Sequence, residues 1–256
     1  MDMLNSHCGV SRDSRGVVRL AICNAGALNI LGSAAILDLQ TALQTLASDD
    51  TVRAVVLAGA SEKSMIGGAD IKEMATLDQA SAEAFITRLA GLCEAVRRFP
   101  APVIARMPGW CLGGGLEVAV ACDIRVAGHD ARFGMPEVRV GIPSVIHAAL
   151  LPRLVGWGRT RWLLMTAETI DAPTALAWGL VDAVAAEGEL DFAVEKVVAS
   201  LLACGPEALR AQKALLRQWE DLPLKDSIEV SIGAFGRSFL TDEPRRLMQQ
   251  FIDRKR

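Results

Sequence analysis

Tyrosine is absent from this chain, and histidine occurs only three times in 256 residues. No phenol is therefore on hand as a general acid, and His7, His129 and His147 stand too far apart in sequence to suggest metal-ligand spacing. Cysteine occurs six times, yet Cys8, Cys23, Cys93, Cys111, Cys122 and Cys204 form no C-x-x-C pair and sit mostly in apolar runs. That pattern speaks against a zinc site or a disulfide frame, and reduced, core-packed thiols in a cytoplasmic protein are expected. A block of one charge sign is also lacking. The formal net charge is −3, and the short basic clusters Arg97-Arg98 and Arg254-Lys255-Arg256 are expected to be solvated helix ends. Nucleic acid and anionic membrane surfaces have no electrostatic reason to bind. No run approaches the roughly 18 apolar residues of a membrane span. The opening MDMLNSHCGVSRDSRG carries no apolar stretch of the signal-peptide kind.

What is present is apolar. Hydrophobic residues make up 51% of the chain and charged residues 22%, which is the balance of a globular protein with a sizeable core. The length suits one large domain, or one domain with a tail. Residues 17–23 and 52–58 are short β-rich runs, and Ala34 to Leu46 between them has apolar residues at helical spacing. A longer helical pattern, Ala80 to Arg98, stops at Pro100 and Pro102. Val103–Ala105 and Ile124–Ala127 read as buried strands, with an almost wholly apolar helix from Gly114 to Cys122 between them. From about Pro173 the pattern becomes helical, through 191–203, 206–219, 225–240 and 243–254. Strands alternating with helices predict an α/β fold, here with a helical last third and no exact internal repeat.

Two glycine-bearing stretches follow predicted strands: "MIGGADIKEM" from Met65, and "PGWCLGGGLEVAVACD" from Pro108. The dinucleotide fingerprint fails at Val118, where a third glycine is required, and no G-x-x-x-x-G-K-[ST] run exists. A glutamate, Glu117, sits just inside the apolar helix after the glycine triplet, and a second, Glu137, follows a proline in "ARFGMPEVRVGIP". Taken by themselves, these residues describe a glycine-lined anion site beside two carboxylates.

In their order and spacing, "GGADIKEM", "GWCLGGGLEVAVACDIRVAG" and "ARFGMPEVRVGIP" resemble the enoyl-CoA hydratase/isomerase (crotonase) superfamily. The resemblance runs from about Val17 to Val184 and continues more weakly to the C-terminus. It implies a crotonase-like spiral of β-β-α units over residues 1–190, with helices in 191–256 that serve core packing and oligomerisation. It also implies a homotrimer or dimer of trimers. The implied oxyanion hole is the backbone N–H pair of Ala69 and Gly114, aimed at a thioester oxygen that gains charge as an enolate forms. Glu117 and Glu137 match the family's two catalytic glutamates, with Glu117 expected to activate water and Glu137 to deliver a proton to Cα. Two such carboxylates in a poorly solvated pocket share acid and base duty because they cannot both ionise freely. The substrate and coenzyme A contacts implied are Ala27 and Leu28 at the adenine, Lys63 and Lys72 near the phosphates, and Gly68, Asp70 and Ile71. The expected reaction is reversible hydration of a 2-enoyl-CoA, with the thioester as substrate and no metal or redox cofactor.

The chain departs from the family pattern in places. Where relatives often read I-P-G-x-G-G, Ser144, Ile146 and His147 take the glycine positions of a segment, Ser144 to Ala148, that helps wall the acyl pocket. Ser144 and His147 do not belong to any serine-hydrolase nucleophile motif, so His147 is expected to be a polar pocket or helix residue. "NAGALN", Asn24 to Asn29, is one residue shorter than the family's N-R-P-x-A-L-N, and the final helix keeps only Met248 and Phe251 of E-G-M-x-x-F. Alternative readings are Δ3-Δ2 enoyl-CoA isomerisation, other chemistry through the same enolate, and a non-catalytic acyl-CoA binder.

Overall fold

Short apolar runs and glycine-bearing turns fold into two sheets in the computed structural model, which describes residues 1–253. In chain order the strands are β1 (Asp2–Met3), β2 (Cys8–Arg12), β3 (Val17–Ile22), β4 (Ala54–Gly59), β5 (Ser64–Ile66) and β6 (Val103–Met107). They continue with β7 (Trp110–Leu112), β8 (Ile124–Ala127), β9 (Arg132–Gly134), β10 (Ile170–Asp171) and β11 (Ala183–Val184). The larger sheet has the order β1-β2-β3-β4-β6-β8-β11 and the smaller β10-β9-β7-β5. Pairing is parallel from β3 through β11 in the first and among β5, β7 and β9 in the second.

The chain visits the sheets in turn. β4 then β5, β6 then β7, and β8 then β9 each place one strand in the large sheet and the next in the small one, before helical structure leads back. This is the expected spiral of β-β-α units, repeated in space without a repeated sequence. The strands that the sequence did not reveal are mainly those of two or three residues, too short to display a period.

The helices of the core obey the apolar spacing. Helix α1 (Ser33–Ala47) buries Ala35, Ile36, Leu39, Ala42 and Leu43, a stripe along one face. A four-residue helix α2 (Ile71–Met74) and the long α3 (Gln79–Arg98) follow. Helix α3 begins with a capping box between Asp78 and Ser81, in which each side chain meets the other's backbone N–H. Helix α4 (Gly114–Ala121) is buried at all eight positions, between α3 and the small sheet.

Helix Leu190–Leu202 lays Leu190, Val194 and Val198 on Val56, Ile104 and Val126 of the large sheet. Helix Pro206–Asp221 docks through Lys213, whose buried Nζ lies 2.6 Å from Asp123 Oδ2 and donates to the carbonyls of Val96 and Ala101. Helices Leu224–Ser238 and Glu243–Asp253 complete the described chain. The expected basic end Arg254-Lys255-Arg256 lies outside the described residues. Cys8, Cys93, Cys111 and Cys122 are buried free thiols, Cys23 is half-buried and Cys204 exposed. Among the described residues no helix is long and apolar enough to cross a membrane.

Candidate active site

Because β5 and β7 are parallel neighbours, the glycine-bearing loops that follow them emerge side by side at one end of the small sheet. Each loop needs glycine for a stated reason. Gly68 has φ +129° and Gly113 φ +52°, regions that a side chain seldom tolerates. Gly115 lets α4 approach β5, since a Cβ there would sit 2.3 Å from the Ile66 carbonyl oxygen.

The two amides singled out in the sequence come together. The Leu31 N–H donates to Gly68 O at 2.9 Å and the Asp70 N–H to Leu31 O at 3.0 Å, which in a parallel ladder turns the intervening Ala69 N–H away from Leu31. Gly114 is the first residue of α4, so its N–H belongs to the helix turn that has no intrahelical acceptor. A Cβ added to Gly114 would lie 3.9 Å from Ala69 N. Both residues border a cavity of about 330 Å3, which Gly68, Glu117 and Glu137 also line. One apolar wall comes from Met74, Phe85, Ile86 and Leu89, and the other from Val140, Ile142 and Val145.

Glu117 reaches this cavity from inside α4 and is only 3% exposed. Its Oε1 accepts the Ala148 N–H at 3.0 Å. Burial pushes its carboxyl up to about 8, and the charge of Glu137 pushes the same way against the lowering effect of that N–H. Glu137 opens a 3-10 turn, Glu137–Val140, just after Pro136. Its Oε2 accepts the Ser144 hydroxyl at 2.8 Å, while its Oε1 lies 2.5 Å from where a Gly113 Cβ would stand. Burial also raises the Glu137 carboxyl, and the Ser144 hydrogen bond works against that rise. The result is an acid–base pair across a mostly apolar hollow, beside two backbone donors. Such a set can move protons at one end of a substrate while stabilising negative charge on an oxygen at the other.

The remaining expected contacts are spread more widely. Ile71 lines the cavity, and the Asp70 side chain caps α2 by accepting the Lys72 and Glu73 N–H groups. Lys72 is exposed on α2. Ala27 and Leu28 are exposed on a loop tied to the cavity by Gly67 N–H donating to Leu28 O at 2.7 Å. Lys63 is exposed at the end of β5 remote from Gly67, where its carbonyl accepts the Trp110 N–H, and it does not border the cavity. In the Ser144–Ala148 segment only Val145 lines the hollow, together with Pro143 just ahead of the segment. Ile146 packs against the core, and His147 places Nε2 at 3.0 Å from Glu94 Oε1. The contacts that sequence reasoning missed are the hydroxyl of Ser144 and the amide of Ala148. The only prior signal was that both fall in the segment where the family's glycines are replaced.

A family model described as enoyl-CoA hydratase/isomerase matches residues 12–256. The chain belongs to that family. Over 231 residues it is 34% identical to the short-chain-enoyl-CoA hydratase of Clostridium acetobutylicum, covering 90% of this chain and 88% of the relative. A crotonyl-CoA hydratase of Syntrophomonas wolfei is 33% identical over 231 residues, at 90% and 89% coverage. The crystal structure of an enoyl-CoA hydratase from Mycobacterium smegmatis superposes with a TM-score of 0.93 at 31% identity, covering 98% of this chain and 97% of that one. The fold of this hydratase/isomerase family member is therefore that of solved enoyl-CoA hydratases, and it carries the segment Ser144–Ala148 within it.

Proposed function

We propose that the chain is a hydro-lyase that adds water reversibly to a 2-enoyl-CoA, giving a 3-hydroxyacyl-CoA. The observation that carries this reading is the pair Glu117 and Glu137, which border one cavity together with Ala69 and Gly114. Hydratases are also the relatives that the chain matches over most of its length. In the hydration direction Glu117 takes a proton from water as its oxygen bonds to Cβ. The Cα=Cβ electron pair moves into the thioester, and the enolate oxygen is held by the N–H groups of Ala69 and Gly114. Glu137 then gives its proton to Cα. In dehydration each proton moves the other way: Glu137 removes the Cα proton and Glu117 protonates the departing hydroxyl.

These two directions start from different placements of a shared proton. With its carboxyl pushed up to about 8, Glu117 holds a proton at neutral pH in the free protein, which is the starting state for dehydration. Hydration starts once the proton stands on Glu137. Every step is a movement of protons and electron pairs, so the chemistry asks for no redox carrier. The apolar walls support an apolar acyl group. The coenzyme A portion is assigned to Ala27, Leu28, Gly68, Asp70 and Ile71, with Lys63 and Lys72 as cations for the phosphates. The buried thiols support a reducing, cytoplasmic setting. The test is loss of the enoyl-thioester absorbance when purified protein meets a panel of 2-enoyl-CoAs. Tight binding with no change of absorbance on any member would leave an acyl-CoA binder in place of an enzyme.

The last third of the chain supports assembly into an oligomer. On helix Leu224–Ser238 the residues Leu224, Ile228, Ile232 and Phe235 form a stripe, each between 57% and 78% exposed. An apolar stripe of this length in a water-exposed position favours burial against another copy, as expected for a trimer or dimer of trimers. Light scattering is expected to give a trimeric or hexameric mass, and the double variant Ile232→Glu/Phe235→Glu a mass at or near that of one chain. An unchanged mass in the variant would remove this helix from the interface.

A further inference from the structure

One short segment touches both carboxyl groups of the site. Ser144 donates its hydroxyl to Glu137 Oε2 at 2.8 Å, and four residues later the Ala148 N–H donates to Glu117 Oε1 at 3.0 Å. The segment between them is held firmly. Ile146 stands at φ +40°, a costly conformation for a β-branched residue that persists only where its surroundings enforce it. His147 is tied to Glu94 of α3, and Ala148 is buried in the core.

We propose that Ser144 is a positioning residue whose hydroxyl holds Glu137 as the ionised member of the pair and so leaves the shared proton on Glu117. This inference rests on the hydratase reading of the site. The two hydrogen bonds are unequal in kind. The Ser144 hydroxyl belongs to a side chain, present where the family pattern has glycine, whereas any residue but proline at 148 supplies an N–H. Removing the hydroxyl therefore leaves the bond to Glu117 intact and takes from Glu137 the donor that favours its charged form. The other charged groups near Glu137 do not replace that donor. Glu117 faces it across the cavity with the same sign of charge, and Arg139 on its own turn pairs with Glu168 at 2.7 Å. His147 is engaged by Glu94. Oε1 is already confined above Gly113, so a hydrogen bond to Oε2 fixes the remaining freedom of the carboxyl.

The experiment is a carboxyl titration by NMR on protein labelled with 13C at the glutamate carboxyl carbon. Glu117→Gln and Glu137→Gln assign the two signals. In Ser144→Ala the Glu137 midpoint is expected to rise by about one unit while that of Glu117 stays in place. Ser144→Thr, which restores a hydroxyl, should return Glu137 to its wild-type midpoint. A segment acting only as a wall would loosen in Ser144→Ala, admit water and lower both midpoints together. That result, or an unmoved Glu137, would overturn the proposal. In parallel, the acid limb of kcat/KM should move up in pH with the Glu137 midpoint, with KM little changed. A wild-type protein that turned over no enoyl-CoA would end the hydratase reading, yet the NMR titration would still decide the role of Ser144.

Discussion

Glutamine in place of Glu117 is expected to lower the hydration rate by about a thousandfold, in the middle of the range for loss of a positioned acid–base group. The change is close to isosteric. The amide oxygen can still accept the Ala148 N–H, so the helix and the cavity keep their shape, and KM should move much less than kcat. What disappears is the ability to take a proton from water or to give one to a departing hydroxyl. The same variant separates hydration from the isomerase alternative. An isomerase that shuttles one proton on Glu137 would keep much of its rate with glutamine at 117.

Stability should move the opposite way, with a sign that can be worked out. The Glu117 carboxyl has its ordinary value of 4.5 in the unfolded chain and is pushed up to about 8 by burial in the folded one. Between those values the folded protein keeps a proton that the unfolded chain has lost, so raising pH favours unfolding. This contribution is fully favourable below about 4.5, falls away through the window and levels off above about 8. Glutamine does not titrate. Relative to wild type, Glu117→Gln should therefore gain stability as pH rises, reaching about 5 kcal/mol once the window has been crossed. Urea denaturation of both proteins from pH 5 to pH 9 checks it. A stability difference that does not change with pH would mean that Glu117 is solvated more freely than its surroundings indicate.

Both glutamates were visible in the sequence because each stands in an apolar stretch with a fixed relation to a glycine or proline: Glu117 after the triplet and Glu137 after Pro136. The strand–helix alternation and the stripes of α1 and α3 were visible because a period of 3.6 needs only the chain's own residues. Other features depend on partners distant in sequence. The three-residue strands β5, β7 and β9 are strands only because they pair with one another, and each is too short to alternate. The Ala148 amide meets a carboxyl 31 residues earlier, and a backbone donor leaves no mark in composition. Ser144 was noticed as a departure from the family pattern, but its hydrogen bond to Glu137 depends on how the chain turns between them, where Gly141 stands at φ +84°. Lys63 was singled out because the family often places a basic residue there, while its position at the end of β5 away from Gly67 follows from sheet pairing.

Alanine at Gly113 is the second change expected to have a large effect, and it acts on Glu137, at the carboxyl oxygen that Ser144 does not touch. Gly113 has φ +52° and ψ −126°, a combination that an L-residue adopts only under strain, at a cost of about 1–3 kcal/mol. Strain alone would lower stability and leave the chemistry intact. Gly156 provides that comparison, since it has φ +80° and no atom within 4 Å of an added Cβ. Gly156→Ala is expected to lower the melting temperature without changing kcat. At Gly113 the added methyl would also stand 2.5 Å from Glu137 Oε1, so the carboxyl must retreat. A displacement of about 1 Å at a reacting group is enough to lower kcat about a hundredfold. Whether the loss passes through Glu137 is decided by a double-mutant cycle. If Gly113 serves to leave room for that carboxyl, Gly113→Ala should cost little further rate once Glu137 is already glutamine. Independent, multiplying losses would mean instead that the methyl acts by disturbing the neighbouring Gly114 amide, and would assign Gly113 to the oxyanion side of the site.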